Sequence, residues 1–246
     1  MDNAIIFDAV GKDFNNNAQV TTAIKSLSFT IQRGDYVCVL GRSGCGKSTI
    51  INLLLGLIKP DRGSINMLGH DPHQQFQNMK GRIGCVFQGD RLLPWRSALD
   101  NVMLPGEILG MKTSQHRQQA LALLHQFGLQ GFEHARPSEL SGGMRQRVAI
   151  ARALISDPDI LLADEAFGHL DEATAENLRH DFKTLAKAGN KTVLHVTHSI
   201  DEAVSLSDKM IVLGRPGKVI NIYDNSHKEH AQSLRHKIAA DLRSEA

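Results

Sequence analysis

Residues 35–57 read DYVCVLGRSGCGKSTIINLLLGL, and two changes of character inside them decide the fold. DYVCVL is a short, β-rich apolar run. From about Lys47 to Leu57 the chain reads as a helix. Between the two lie Gly41, Arg42, Ser43, Gly44, Cys45, Gly46, Lys47, Ser48 and Thr49, which fit the pattern G-x-x-x-x-G-K-[ST]. Placed after a strand and before a helix, the backbone N–H groups from Gly44 to Thr49 and the positive helix end can surround phosphate oxygens. Lys47 supplies a point charge for β- and γ-phosphates, and the Ser48 hydroxyl can ligate Mg²⁺. The competing reading is a Gly-rich turn ahead of a core helix.

Outward from this loop, strand signals come first: AIIFDAV and SLSFTI before it, and RIGCVF, ending near Gln88, after it. From about Gly89 to Ala153 helix signals take over, as in HRQQALALLHQFGL, whose apolar spacing stops at Gly128. After Pro158 the alternation returns with DILLAD, a helix from about Asp171 to Ala188, KTVLHVTH, a helix near SIDEAVSLS, and KMIVLG. Alternation on both sides of a helical block predicts a parallel-sheet α/β core with a helical insertion. The expected organisation is one domain over 1–246. Its α/β core takes 1–88 and 154–225, the helical subdomain 89–153 and a C-terminal amphipathic helix 226–246. Ala231, Leu234, Ile238 and Leu242 lie on one side of that last helix.

Composition narrows the function. The 246 residues are 41% hydrophobic and 22% charged with a formal net charge of +2, an ordinary globular balance. That charge makes no case for nucleic acid or an anionic membrane as partner. Cys38, Cys45 and Cys85 lack metal-ligand spacing and suit a reducing compartment. MDNAIIFDAV lacks the pattern of a secretory signal, and IINLLLGLI at 50–58 is far short of the ~20 residues that span a bilayer. The expectation is a cytosolic chain whose membrane role runs through a partner.

A phosphate loop of this kind needs a metal ligand from a neighbouring strand end, and ILLADE at 160–165 supplies one. Asp164 would hold Mg²⁺ through its water shell, and Glu165 would orient or deprotonate the attacking water. Adjacent side chains leave a strand on opposite sides, so the two acids can divide these duties. An acidic pair at a helix start is the plainer alternative, but it does not explain acids that cap a strongly apolar strand. The reading is a nucleotide triphosphatase.

LSGGMRQRVAIARAL at 140–154, with the loop and LLADE, resembles the signature of ABC-transporter ATP-binding subunits, and the resemblance covers nearly the whole chain. It implies an α/β P-loop NTPase core with a mainly parallel sheet, an N-terminal antiparallel β portion and an inserted helical subdomain. It also implies that Ser141, Gly142 and Gly143 contact the γ-phosphate of ATP held by a second copy. Gln88 matches the glutamine that links the metal site to the helical subdomain, and Asp171 matches an aspartate that crosses the dimer interface. His198 matches the histidine that touches the γ-phosphate. His195, three residues earlier, faces the other side of its strand. Phe14 matches an aromatic that stacks on adenine, usually a tyrosine, although a core Phe is the alternative.

LLPWRSALDNV at 92–102 and RPGKVI at 215–220 look like the nitrate/sulfonate/taurine branch of bacterial importers; importers of pyrimidine thiamine precursors share such features. The resemblance then implies ATP and Mg²⁺, a second copy forming an ATP sandwich, two transmembrane permease subunits and, indirectly, a periplasmic solute-binding protein. The chain would sit peripherally on the cytoplasmic face of the inner membrane and energise import of a small anionic solute. LLPW at 92–95 would help form the groove for a permease helix. A soluble ABC ATPase and a non-hydrolysing regulatory subunit are the rivals. In two places the chain departs from the family: Ala166 stands where proline is usual and His169 where alanine is usual. Neither departure removes a catalytic group.

Overall fold

The structure is a computed structural model and describes residues 2–16, 19–168, 172–226 and 231–244. The chain begins with strands β1 (Asn3–Asn16), β2 (Gln19–Gln32) and β3 (Tyr36–Gly41), then helix α1 (Lys47–Leu54) and β4 (Arg62–Met67). Next come β5 (Ile83–Val86), α2 (Ala98–Leu109), α3 (Thr113–Gln126), α4 (Gly142–Leu154), β6 (Ile160–Asp164) and α5 (Glu172–Ala188). The last elements are β7 (Thr192–Thr197), α6 (Ile200–Leu206), β8 (Lys209–Gly214), β9 (Gly217–Asp224) and α7 (Ala231–Ser244). They divide into two compact units, Met1–Met79 with Thr192–Ala246, and Lys80–Lys191.

In the first unit the strands run in the order β4-β1-β2-β9-β8-β3-β7. β1 pairs antiparallel with β2 and with β4, and Phe7 stacks on Phe29 with ring centroids 4.5 Å apart. β3 pairs in parallel with β7 and β8, placing Val39 opposite Val196 and Ile211. β3 and β7 are buried at every position, which is why they read as unbroken apolar runs rather than alternating ones. Because β3, β7 and β8 run the same way, the loop after Gly41, His198 after β7 and the turn after β8 all leave one edge. That carboxyl edge is where open α/β sheets place ligands.

In the second unit β5 and β6 are parallel, with Val86 opposite Ala163, so Gln88 and the acids Asp164 and Glu165 leave the same end. Helices α2, α3 and α4 run between residues 98 and 154 and bury Val102, Ala120, Leu124 and Val148. His116 is buried in this packing, with its Nε2 3.0 Å from the Met103 carbonyl. A Cβ on Gly106 would land 1.9 Å from the same ring nitrogen, so glycine is what lets α2 approach α3.

The α/β character and the antiparallel N-terminal strands are as the sequence predicts. Three elements go beyond that reading: β4, β9 and α2. The helix after the phosphate loop ends at Leu54 rather than Leu57, because Gly56 turns left-handed at φ 69°. In α7, Ile238 is buried. Among the described residues, no helix is long and apolar enough to cross a membrane.

Candidate nucleotide-binding site

The phosphate loop is shaped by what its glycines allow. Gly46 caps α1 in the left-handed conformation at φ 94° and makes no side-chain capping hydrogen bond. The positive end of a helix that starts this way suits an anion. Gly44 is also left-handed at φ 80°. A Cβ on Gly46 would sit 2.8 Å from the Ala23 carbonyl, and one on Gly41 would sit 2.3 Å from Cys45 Sγ. A larger residue at 41 would thus collide with the loop's own Cys45, and one at 46 with Ala23 of β2. Lys47 is only 7% exposed, and its Nζ donates to the carbonyls of Gly41 at 2.7 Å and Arg42 at 3.2 Å. Arg42, Ser43, Gly44 and Ser48 are exposed, and Thr49 is half-buried. Burial pushes the Cys45 thiol up, with Lys47 and Arg215 pulling it back.

Other positions of the first unit fall around this sheet. His198 is exposed directly after β7. The turn that carries it is tied: the Thr197 hydroxyl donates to the Glu202 carboxylate and accepts from Ser199 N at 3.1 Å, and Ser199 caps α6 by accepting from Glu202 N at 3.2 Å. His195 is wholly buried, its Nδ1 3.2 Å from the Tyr36 hydroxyl. Phe14 is 41% exposed with Lys12 Nζ 5.5 Å from its ring centroid. Its ring therefore lies outside the core.

In the second unit Asp164 ends β6 and Glu165 follows with φ 46°, a left-handed backbone that a residue with a Cβ rarely adopts. Gln88 Nε2 donates to Glu165 Oε2 at 3.3 Å. Gln146 of α4 donates to the Ala166 carbonyl at 2.5 Å, and Ala166 itself is buried. Ser141 caps α4 by accepting from Met144 N at 3.2 Å, so the signature opens the helix. A Cβ on Gly143 would meet Thr174 Cγ2 at 3.0 Å. Gln88, Asp90, Gly142, Arg145, Gln146 and Ala166 line one cleft of about 210 Å³. Burial, reinforced by the negative charge of Asp164, pushes the Cys85 thiol up to about 12. Asp171 and His169 lie outside the described residues.

Sequence reasoning missed several groups. Arg145 Nε donates to Asp90 Oδ2 at 2.8 Å and its Nη1 to the Leu140 carbonyl at 2.8 Å. Arg152, seven residues on, donates to the carbonyls of Asp90 and Arg91 at 2.7 and 2.8 Å. Asn101, fully buried, holds the segment that carries LLPW: its Oδ1 accepts from Leu93 N at 2.7 Å and its Nδ2 donates to the carbonyls of Leu93, Arg96 and Ser97. Trp95 in that segment is 69% exposed, while Leu92 is buried. In the first unit Arg215, in the RPG turn, donates to the Ser43 carbonyl.

Comparison with known proteins gives one family. A family model described as ABC transporter matches residues 24–168. The nitrate import ATP-binding protein NrtD of Synechococcus elongatus is 38% identical, over 98% of this chain and 89% of that protein. The taurine import ATP-binding protein TauB of Rhizobium johnstonii is 43% identical, over 82% of this chain and 76% of that protein. Among solved structures, a dimeric post-hydrolysis state of the ATP-binding cassette MJ0796 bound to ADP and Pi superposes with a TM-score of 0.81. It is 34% identical and covers 90% of this chain and 98% of that one. Matched by the family model across phosphate loop, signature and acid pair alike, the chain belongs to the ABC transporter family.

Proposed function

We propose that this chain is the ATP-hydrolysing subunit that energises a bacterial ABC importer for a small anionic solute of the nitrate, sulfonate or taurine type. The observation that carries the reading is the loop before α1: left-handed glycines at 44 and 46, a helix start with its positive end toward the loop, and a buried ammonium on the loop's own carbonyls. A triphosphate places its charge at that helix end, and Lys47 moves from Gly41 and Arg42 to the β- and γ-phosphates. The names of NrtD and TauB support the solute class.

Each remaining residue has a task in this reading, and Gln88 has two. Phe14 offers its ring to adenine. Ser48, Gln88 and Asp164 carry the hard oxygen donors that suit Mg²⁺, which supplies neutralisation of charge on the phosphates when bound. Glu165 takes the proton of the attacking water, with Gln88 steadying its carboxylate, and His198 donates toward the γ-phosphate. Ser141, Gly142, Gly143 and Asp171 of one copy complete the site of another, so ATP joins two copies. That pair drives two permease subunits from the cytoplasmic face of the membrane, and a periplasmic binding protein delivers the solute.

The test is nucleotide binding and phosphate release by purified protein. Lys47→Ala should weaken ATP binding, whereas Glu165→Gln should bind ATP, stop turnover and accumulate as a dimer on gel filtration. Near-normal turnover by Glu165→Gln removes it as the base. Reconstitution with the permease and a binding protein loaded with nitrate, taurine or an alkanesulfonate tests the solute class; stimulation by none of the three refutes it.

A further inference from the structure

Arg215 is exposed, stands in the turn between β8 and β9, and has no role in the reading above. Its guanidinium nevertheless reaches the phosphate loop, where Nη2 donates to the Ser43 carbonyl. The first atoms that a Cβ on Gly44 would meet all belong to that guanidinium: Nη2 at 3.4 Å, Nε at 3.6 Å and Cζ at 3.7 Å. The group therefore lies over the Ser43–Gly44 peptide. Lys47 meanwhile holds the carbonyls of Gly41 and Arg42. Three consecutive carbonyls thus each face a cation, but the two cations have different fates. Lys47 must leave to meet a phosphate; Arg215, anchored outside the loop, can stay.

The planar trans peptide makes this hold useful, because its C=O and N–H point in opposite directions. Fixing the Ser43 oxygen toward Arg215 aims the Gly44 N–H the other way. Gly44, left-handed at φ 80°, is a residue with much backbone freedom to lose, so an outside tie that orders it before ligand arrives lowers the cost of binding. We propose that Arg215 is a positioning residue of the phosphate loop, holding the Ser43 carbonyl so that the Gly44 amide faces the incoming phosphate. This rests on the reading of residues 41–49 as a phosphate cradle.

The full-length chain is titrated with fluorescent ATP and ADP analogues, comparing wild type with Arg215→Ala, Arg215→Gln and Arg215→Lys, and Lys47→Ala as control. Arg215→Ala should weaken both nucleotides about five- to tenfold, the scale of one ordinary intramolecular hydrogen bond. Turnover at saturating ATP should stay within about twofold, so the effect appears in KM. Arg215→Gln keeps an amide donor for the carbonyl without the charge and should recover most of the loss. Wild-type affinity in Arg215→Ala overturns the proposal. So does rescue by Lys but not Gln with a loss that shrinks at high salt, which would mark a long-range charge effect. If Arg215→Ala melts differently without nucleotide, the Gln and Lys variants decide by the same rule. A wild-type chain that binds neither nucleotide refutes the cradle reading as well, an outcome distinct from unchanged binding on removal of Arg215.

Discussion

Replacing Asn101 by alanine should loosen the segment that displays Trp95, by an amount the hydrogen bonds define. The side chain is fully buried and serves four backbone groups. Two of the carbonyls keep another donor: Leu93 O accepts from Arg96 N, and Ser97 O accepts from Asn101 N. The loss therefore falls on the Leu93 N–H and the Arg96 carbonyl, which together account for about 2 kcal/mol, with about 1 kcal/mol more for the vacated volume. With a urea slope of about 3 kcal/mol per M for a chain this size, the unfolding midpoint should drop by about 1 M. Asn101→Asp should be at least as damaging, because it sets a second oxygen against three carbonyls. Trp95 is the chain's single tryptophan, so its fluorescence anisotropy reports this segment alone and should fall in folded Asn101→Ala. A midpoint within 0.2 M of wild type, or an aspartate variant as stable as wild type, would refute the account.

Trp95→Ala, by contrast, removes an exposed ring and should leave basal ATPase and the urea midpoint nearly unchanged while reducing assembly with the permease; an unfolded variant would make Trp95 a core residue. Ala166→Pro should cost about 1–2 kcal/mol in thermal stability, because proline crowds the preceding residue toward extended backbone and Glu165 sits at φ 46°. Equal or higher stability would mean that the left-handed turn is not required. His169→Ala should retain ATP turnover between pH 6 and pH 8, and rescue of an inactive wild-type complex by this change would overturn that expectation. Cys85, with its thiol pushed up to about 12, should resist iodoacetamide at pH 8, where roughly one molecule in ten thousand is thiolate against about a quarter for a free thiol. A raised thiol pKa favours the folded state below the ordinary value near 9, and that contribution fades as pH climbs toward 12. Alkylation of Cys85 at the rate of a free thiol would refute the upward shift.

The sequence disclosed whatever depends on local rules. The 35–57 stretch carries its own strand, glycines and helix, and β3 and α1 form there within a few residues of the expected limits. The signature likewise announces a helix start, since Ser141 caps α4 with its own side chain. β4 stayed hidden because RGSINM at 62–67 is exposed at four of six positions and gains its strand character from pairing with β1. α2 stayed hidden because Pro105 and Gly106 lie inside it, and both argue against helix in a local reading. The ties around the site were illegible for another reason. Ser43 and Arg215 are 172 residues apart, and Tyr36 and His195 are 159 apart; no spacing rule connects them. Asn101 could have been noticed as a polar residue inside an apolar helix start, but its four bonds follow from the path of the preceding loop.

Helix α4 has a mechanical consequence. Arg145 grips the Asp90 side chain and Arg152 the Asp90 and Arg91 carbonyls, so one stiff rod is bolted at two points to the segment that leads from Gln88 to Trp95. Its 13 residues span about 20 Å. A force that displaces residues 90–91 must either strip two guanidinium groups from their acceptors or carry the rod with it. Because Ser141 is the rod's first cap, any displacement of residues 90–91 that carries the rod also moves the signature end.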